Sequence, residues 1–222
     1  MSDGPASGDS VSRETAPPAP ELARGVFGSR LDLATTYADL LAGEATVRGL
    51  IGPREVPRLW ERHLLNCALV ADLVPEGARV VDVGSGAGLP GLVLALRRPD
   101  LHVTLLEPLL RRTTFLELAA SRMELDNVTV HRGRAEEVHG QMYFDVVTSS
   151  AVAPLDRLGR WSLPLVERGG AMLAMKGSSA PDELAEAERG LRKLGARRFA
   201  VHRLGAELLD PPVTVVEARL PA

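Results

Sequence analysis

Between Arg79 and Arg219 the chain alternates short β-branched runs with longer amphipathic stretches, and few folds accept that rhythm. Strands are expected at residues 79–83, 102–107, 128–132, 144–148, 171–175, 198–203 and 213–219. Helices are expected between them at 92–98, 110–125, 155–167 and 181–194. A helix inserted between two strands is a crossover, so those strands run parallel and the helices cover the faces of the sheet. The fold class is therefore α/β, a seven-stranded, mainly parallel sheet with helices on both faces. Ligands of such sheets bind beyond the carboxyl ends of the strands. The motifs should cluster there.

The loop after the first strand is the most specific segment. "VVDVGSGAGLPG", residues 80–91, places Gly84, Gly86, Gly88 and Gly91 between a strand and a helix. Glycine permits positive φ and close approach of a ligand to the backbone, and the helix that follows offers free N–H groups. Gly86 to Gly91 satisfies G-x-G-x-x-G, the dinucleotide fingerprint. Glu107, at the end of the second strand, can accept hydrogen bonds from both hydroxyls of a ribose. NAD and S-adenosylmethionine share that ribose, so the two residues fit either ligand, and a plain tight turn needs neither. Asp82-x-Gly84-x-Gly86-x-Gly88 resembles the first motif of Rossmann-like S-adenosylmethionine methyltransferases, which favour an acid two residues before the first glycine, and "RAEE" follows the third strand, where such enzymes hold adenine. The strand after Asp210-Pro211-Pro212 is expected to be an additional antiparallel one. No histidine stands where hydride chemistry would want an acid–base partner: His102 begins a strand and His131 lies within one.

The segments before Arg79 read differently. Residues 1–21 are rich in Ser, Gly, Pro and Ala and poor in apolar bulk, so they are expected to be a disordered tail. Apolar residues at helical spacing in 30–49 and 58–74 give two helices, a cap over 22–76 on a domain spanning 77–222. The single cysteine, Cys67, rules out an internal disulfide or a cysteine zinc cluster and reads as packing. His63 has no second ligand at a workable spacing, so no metal site is expected. A net charge of −3 carries no global signature of nucleic-acid binding, although six basic residues and no acid fall between Arg189 and Arg203. With no long apolar run and no signal-peptide pattern, a cytoplasmic monomer without membrane association is expected.

Six segments occur together and in order: "RHLLNCALV", "DVGSGAGLPG", "LLEPLLRRTTFL", "GRAEE", "AVAPLD" and "MLAMKG". In them the chain resembles the RsmG (GidB) family of 16S rRNA guanine-N7 methyltransferases, from about Phe27 to the C-terminus. The resemblance implies a Rossmann-like methyltransferase fold and S-adenosylmethionine as donor, with S-adenosylhomocysteine as product. It implies a guanine in the 530 loop of 16S rRNA, alone or in the 30S subunit, as acceptor. It makes Gly84, Gly86, Gly88 and Leu89 donor contacts in the glycine turn, Glu107 the ribose carboxylate, and Ala135 and Glu136 the adenine contacts. The family pattern Ser-Arg-Ala after the fourth strand is Ser149-Ser150-Ala151 here. Ser150 therefore stands where the family places a cofactor-site arginine, and serine supplies neither its charge nor its five donors. The alternative to an active enzyme is a weakened relative that still binds donor or RNA.

The chemistry suits the residues. Guanine N7 carries an in-plane lone pair and no proton, so attack on a sulfonium methyl needs positioning rather than a general base. Methylation at pyrimidine C5 would want a cysteine beside the fourth strand, and adenine-N6 enzymes an Asn/Asp-Pro-Pro-aromatic turn there; the segment reads "TSSAVAP". Lys176 and Asn66 are the candidates at the reacting end. Arg62, His63, Arg111, Arg112, Lys176, Arg197 and Arg198 are candidate RNA contacts, against the plainer reading of solvated faces.

Overall fold

The computed structural model describes residues 15–150 and 153–222. Seven strands form one sheet in the order β3-β2-β1-β4-β5-β7-β6. They are β1 Arg79–Val83, β2 His102–Glu107, β3 Val128–Arg132, β4 Phe144–Ser149, β5 Val166–Lys176, β6 Arg198–Leu204 and β7 Val213–Arg219. β1 to β5 pair in parallel, and β7 inserts antiparallel between β5 and β6. The expected extra antiparallel strand is thus present. The order reverses beside β1, which places a switch point at the glycine loop.

Successive residues of β1 face opposite layers. Val80 joins a core with the N-terminal helices and with α4 (Gly91–Arg97) and α5 (Leu110–Arg122). Val81 and Val83 join a second core, against α6 (Leu155–Ser162) and α7 (Ala180–Lys193). The cap consists of α1 (Glu21–Phe27), α2 (Leu31–Leu40), α3 (Asn66–Val70) and short turns between them. The expected second cap helix is segmented: a π-helical stretch, Leu59–Leu65, leads into α3, and a 3-10 turn, Ala71–Leu73, ends it. Cap and sheet share one continuous core, so the boundary at residue 76 divides the sequence rather than the packing.

Two expected boundaries shift for physical reasons. The expected helix 155–167 ends at Ser162, because Pro164 interrupts it in a 3-10 turn, Leu163–Leu165. β5 then starts at Val166, five residues earlier than expected. Its register against β4 is broken by a bulge between Phe144 and Val146, and Gly170 lies where a Cβ would sit 2.6 Å from the Asp145 carbonyl. The expected tail also differs where it is described. The Trp60 indole N–H donates to the Pro17 carbonyl at 2.8 Å, and α1 begins at Glu21, so residues 15–21 are seated on the cap. The remainder of that tail lies outside the described residues.

Candidate functional site

The site begins with a buried acid. Asp82 points into the cap-side core with no exposed surface, and its Oδ2 accepts the Gly91 N–H at 3.0 Å, closing the loop on itself. Oδ1 has no hydrogen-bond partner. Burial is the main cause that pushes this carboxyl up to about 7; the Gly91 hydrogen bond opposes it and the Glu107 carboxylate adds to it. From the cap, the Tyr37 hydroxyl donates to the Ala87 carbonyl at 2.6 Å. Gly88, at φ +96°, lies against that hydroxyl: a Cβ there would sit 2.8 Å from it and overlap the Leu92 side chain. The turn is thus gripped from below by Asp82 and from above by Tyr37.

On the solvent side the loop opens into a pocket of about 300 Å³ at the ends of β1, β2 and β3. Gly84, Glu107, Ala135 and Glu136 line it together, four residues expected to act on one ligand. The Glu107 carboxylate is 1 % exposed; Oε2 accepts the Gly86 N–H at 3.0 Å and Oε1 the Leu109 N–H at 3.1 Å. Oε1 retains a lone pair for a further donor, whereas Oε2 also accepts from Arg112. Arg112 Nη1 stands 3.4 Å from the same carboxylate, while its Nε is buried without a partner. Gly88 and Leu89 do not line this pocket; Leu89, 9 % exposed, packs into the cap-side core. Ser149 Oγ donates to the Ser150 carbonyl at 2.9 Å, and residues 151–152 lie outside the described residues.

One lining residue was not singled out from the sequence. Trp161, near the end of α6, borders the pocket beside Ala135. Its carbonyl is held by His139 Nε2 at 2.9 Å, and the Arg157 guanidinium lies 5.7 Å from its ring centroid. α6 is set close by Gly159, where a Cβ would overlap the Leu191 side chain of α7. The only signal was helical spacing, which puts Trp161 three residues after the buried Leu158 of α6; nothing local linked it to the glycine turn.

The other candidates separate by rim. Lys176 ends β5 at the rim bearing the glycine turn, but its Nζ donates to the Ala153 carbonyl at 2.7 Å and pairs with Glu183 at 2.8 Å, leaving the side chain 5 % exposed. Asn66 Nδ2 donates to the Arg62 carbonyl at 3.0 Å, and Arg62 is exposed on the same cap turn. His63 Nε2 lies 2.9 Å from Glu55 Oε2 and is committed to that contact. Arg111 is exposed on the first turn of α5. Arg198 pairs in register with Arg219 and through it with Ala171, whereas Arg203 pairs with Thr214 and through it with Lys176. Arg197 and Arg198 therefore sit at the amino-end rim. Arg197 joins Arg189, Arg192 and Lys193 in a separate basic patch, where Arg192 already pairs with Glu188. The run 189–203 is split between opposite edges, and only Arg203 reaches the edge of the candidate site.

Comparison with known proteins assigns the chain. The GidB family, described as rRNA small subunit methyltransferase G, matches residues 30–210. The chain belongs to this family. A ribosomal RNA small subunit methyltransferase G from Nocardioides is 60 % identical over 209 residues, covering 93 % of this chain and 83 % of that one. The protein of the same description from Thermobifida fusca is 57 % identical over 196 residues, with 88 % and 83 % covered. Among solved structures, the fold is shared with a SAM-dependent O-methyltransferase from Thermotoga maritima, with TM-score 0.56, 18 % identity and 71 % and 65 % of the two chains covered. An O-methyltransferase family protein from Burkholderia thailandensis gives TM-score 0.58, 12 % identity and 90 % and 68 % covered.

As a GidB-family methyltransferase the chain has the Rossmann-like fold, with S-adenosylmethionine as its methyl donor. The pocket's donors and acceptors fit that molecule. A buried carboxylate with a lone pair left on Oε1 suits a ribose hydroxyl, and Trp161 and Ala135 offer apolar surface to a purine.

Proposed function

We propose that the chain transfers a methyl group from S-adenosylmethionine to N7 of a guanine in the 530 loop of 16S rRNA. The observation that supports this most is the convergence of Gly84, Glu107, Ala135 and Glu136 on one pocket at the switch point, in a chain that belongs to the small-subunit rRNA methyltransferase family. The donor supplies an electrophilic methyl on a sulfonium. Glu107 accepts the ribose hydroxyls, Ala135 and Glu136 border the adenine, and the backbone of the glycine turn carries the remainder of the donor. Tyr37 and Asp82 keep that turn in one shape. Guanine N7 brings its own lone pair, so the residues have only to align acceptor with donor and exclude water. Lys176 acts here by holding the Ala153 backbone beside the reacting end rather than by moving a proton.

Ser150 is the position that tests the reading. A serine in place of the family arginine removes a charge-assisted contact, and restoring it in Ser150→Arg should tighten donor binding by up to about a hundredfold. Calorimetric titration with S-adenosylhomocysteine measures that change directly. Methyl transfer to 30S subunits lacking the modification then separates two outcomes. Transfer by the unaltered chain supports an enzyme; transfer only by Ser150→Arg supports the weakened relative; no transfer by either rejects the proposed activity.

A further inference from the structure

The rim that carries the donor pocket has a second and larger opening. A cleft of about 810 Å³ lies between the cap and the end of β5, closed on its far side by the loop that joins β6 to β7. β4 alone separates β1 from β5, so this cleft opens about 10 Å along the rim from the glycine turn. Leu65 from the cap, Met175 from β5 and Val213 from β7 give it an apolar floor.

Its border carries cations on two walls. Arg58 comes from the turn before the π-helical stretch, Arg62 from that stretch, and Arg203 from the end of β6. All three are exposed, and none pairs with a carboxylate among the described residues. Most other arginines at helix ends are spent: Arg97, Arg98 and Arg192 each hold a carboxylate. Lys176 borders the cleft, but Glu183 already neutralises it. Glu61 and Asp210 face the same space from opposite walls and offer acceptors to N–H groups. An apolar floor framed by free guanidiniums and a few acceptors is the chemistry of an unstacked nucleotide, with its base below and its phosphates at the edge.

We propose that this cleft receives an unpaired nucleotide of the RNA substrate, its base over Leu65, Met175 and Val213 and its flanking phosphates on Arg58, Arg62 and Arg203. The proposal rests on the rRNA reading above and adds the docking surface to it. Of the candidate RNA contacts it keeps Arg62, adds Arg58 and Arg203, and leaves Arg197 and Arg198 on the opposite rim.

The test is binding of unmodified 30S subunits by the full chain, followed by co-sedimentation at several salt concentrations. Arg62→Ala/Arg203→Ala is compared with Arg122→Ala/Arg168→Ala, which removes the same charge from exposed positions away from the cleft. The cleft variant should bind at least about tenfold more weakly, and its salt dependence should fall by about one to two counterions, one for each phosphate left without its guanidinium. The comparison variant should stay within about twofold of the unaltered chain. S-adenosylhomocysteine affinity, measured by calorimetry, should be unchanged in both, which shows that each has folded. Equal binding by the cleft variant and the unaltered chain would overturn the docking surface alone. Failure of the unaltered chain to bind subunits, with donor affinity intact, would overturn it together with the rRNA reading.

Discussion

At the scale of single residues, Asp82 and Trp161 make the sharpest claims. Asp82 holds its proton more firmly in the folded chain than its ordinary value of 3.8 allows, because burial raises it to about 7. Its contribution to stability is therefore complete below the ordinary carboxylate range and is lost as pH rises through about 7. Asp82→Asn cannot ionise and escapes that loss. Between about pH 4 and pH 8 the variant should gain on the unaltered chain, by a few kcal/mol at most. Urea denaturation of both across that range checks it, and parallel profiles would mean that Asp82 does not titrate there. Trp161 borders the donor pocket, whereas the chain's other tryptophan, Trp60, is buried in the cap at 4 % exposure. In a Trp60→Phe background, S-adenosylhomocysteine should alter the emission of Trp161, and Trp161→Ala should weaken donor binding several-fold, more than Trp161→Phe. Unaltered emission at saturating ligand would place the adenine elsewhere.

At the scale of elements, the cap and the glycine turn behave as one unit because of Tyr37. Burial holds its hydroxyl far above the ordinary phenol range, so it remains a donor to the Ala87 carbonyl. Tyr37→Phe leaves that carbonyl buried without a partner, at a cost of about 1–3 kcal/mol. If the cap shapes the turn, donor affinity should fall several-fold as well; a lower melting temperature with unchanged affinity would reduce Tyr37 to packing. This grip was not legible in the sequence, since fifty residues separate Tyr37 from Ala87. The strands were, because near-continuous β-branched runs such as Val80–Val83 bury alternate residues on two cores, and that pattern is local. β5 was expected to begin only at 171, after a helix to 167, yet Gly170 is small so that the bulged strand can pass the Asp145 carbonyl. The pocket beside the glycine turn was legible where chemistry attaches to a motif, at Gly84, Glu107, Ala135 and Glu136, which line it together. It was not legible at Trp161, which arrives from α6 through tertiary packing. The basic run at residues 189–203 divides between two rims, which was not legible because charge spacing says nothing about which end of a strand a residue occupies.

At the scale of the molecule, the sheet order sets the division of labour. β1 to β3 border the pocket at the glycine turn, β5 to β7 border the cleft, and β4 ends between them at Ser149, just before Ser150. Both openings share the carboxyl-end rim, and among the described residues no helix is long and apolar enough to cross a membrane. This arrangement fits a single reaction, transfer of a methyl group along the rim to a base held beside the donor. The measurement that tests it most directly is to incubate the chain with labelled S-adenosylmethionine and 30S subunits lacking the modification, and then to identify the methylated nucleoside. Strand scission by borohydride and aniline locates 7-methylguanosine in the 16S rRNA. The account predicts label in 7-methylguanosine and one scission in the 530 loop. Label in another nucleoside, or scission elsewhere, would contradict it.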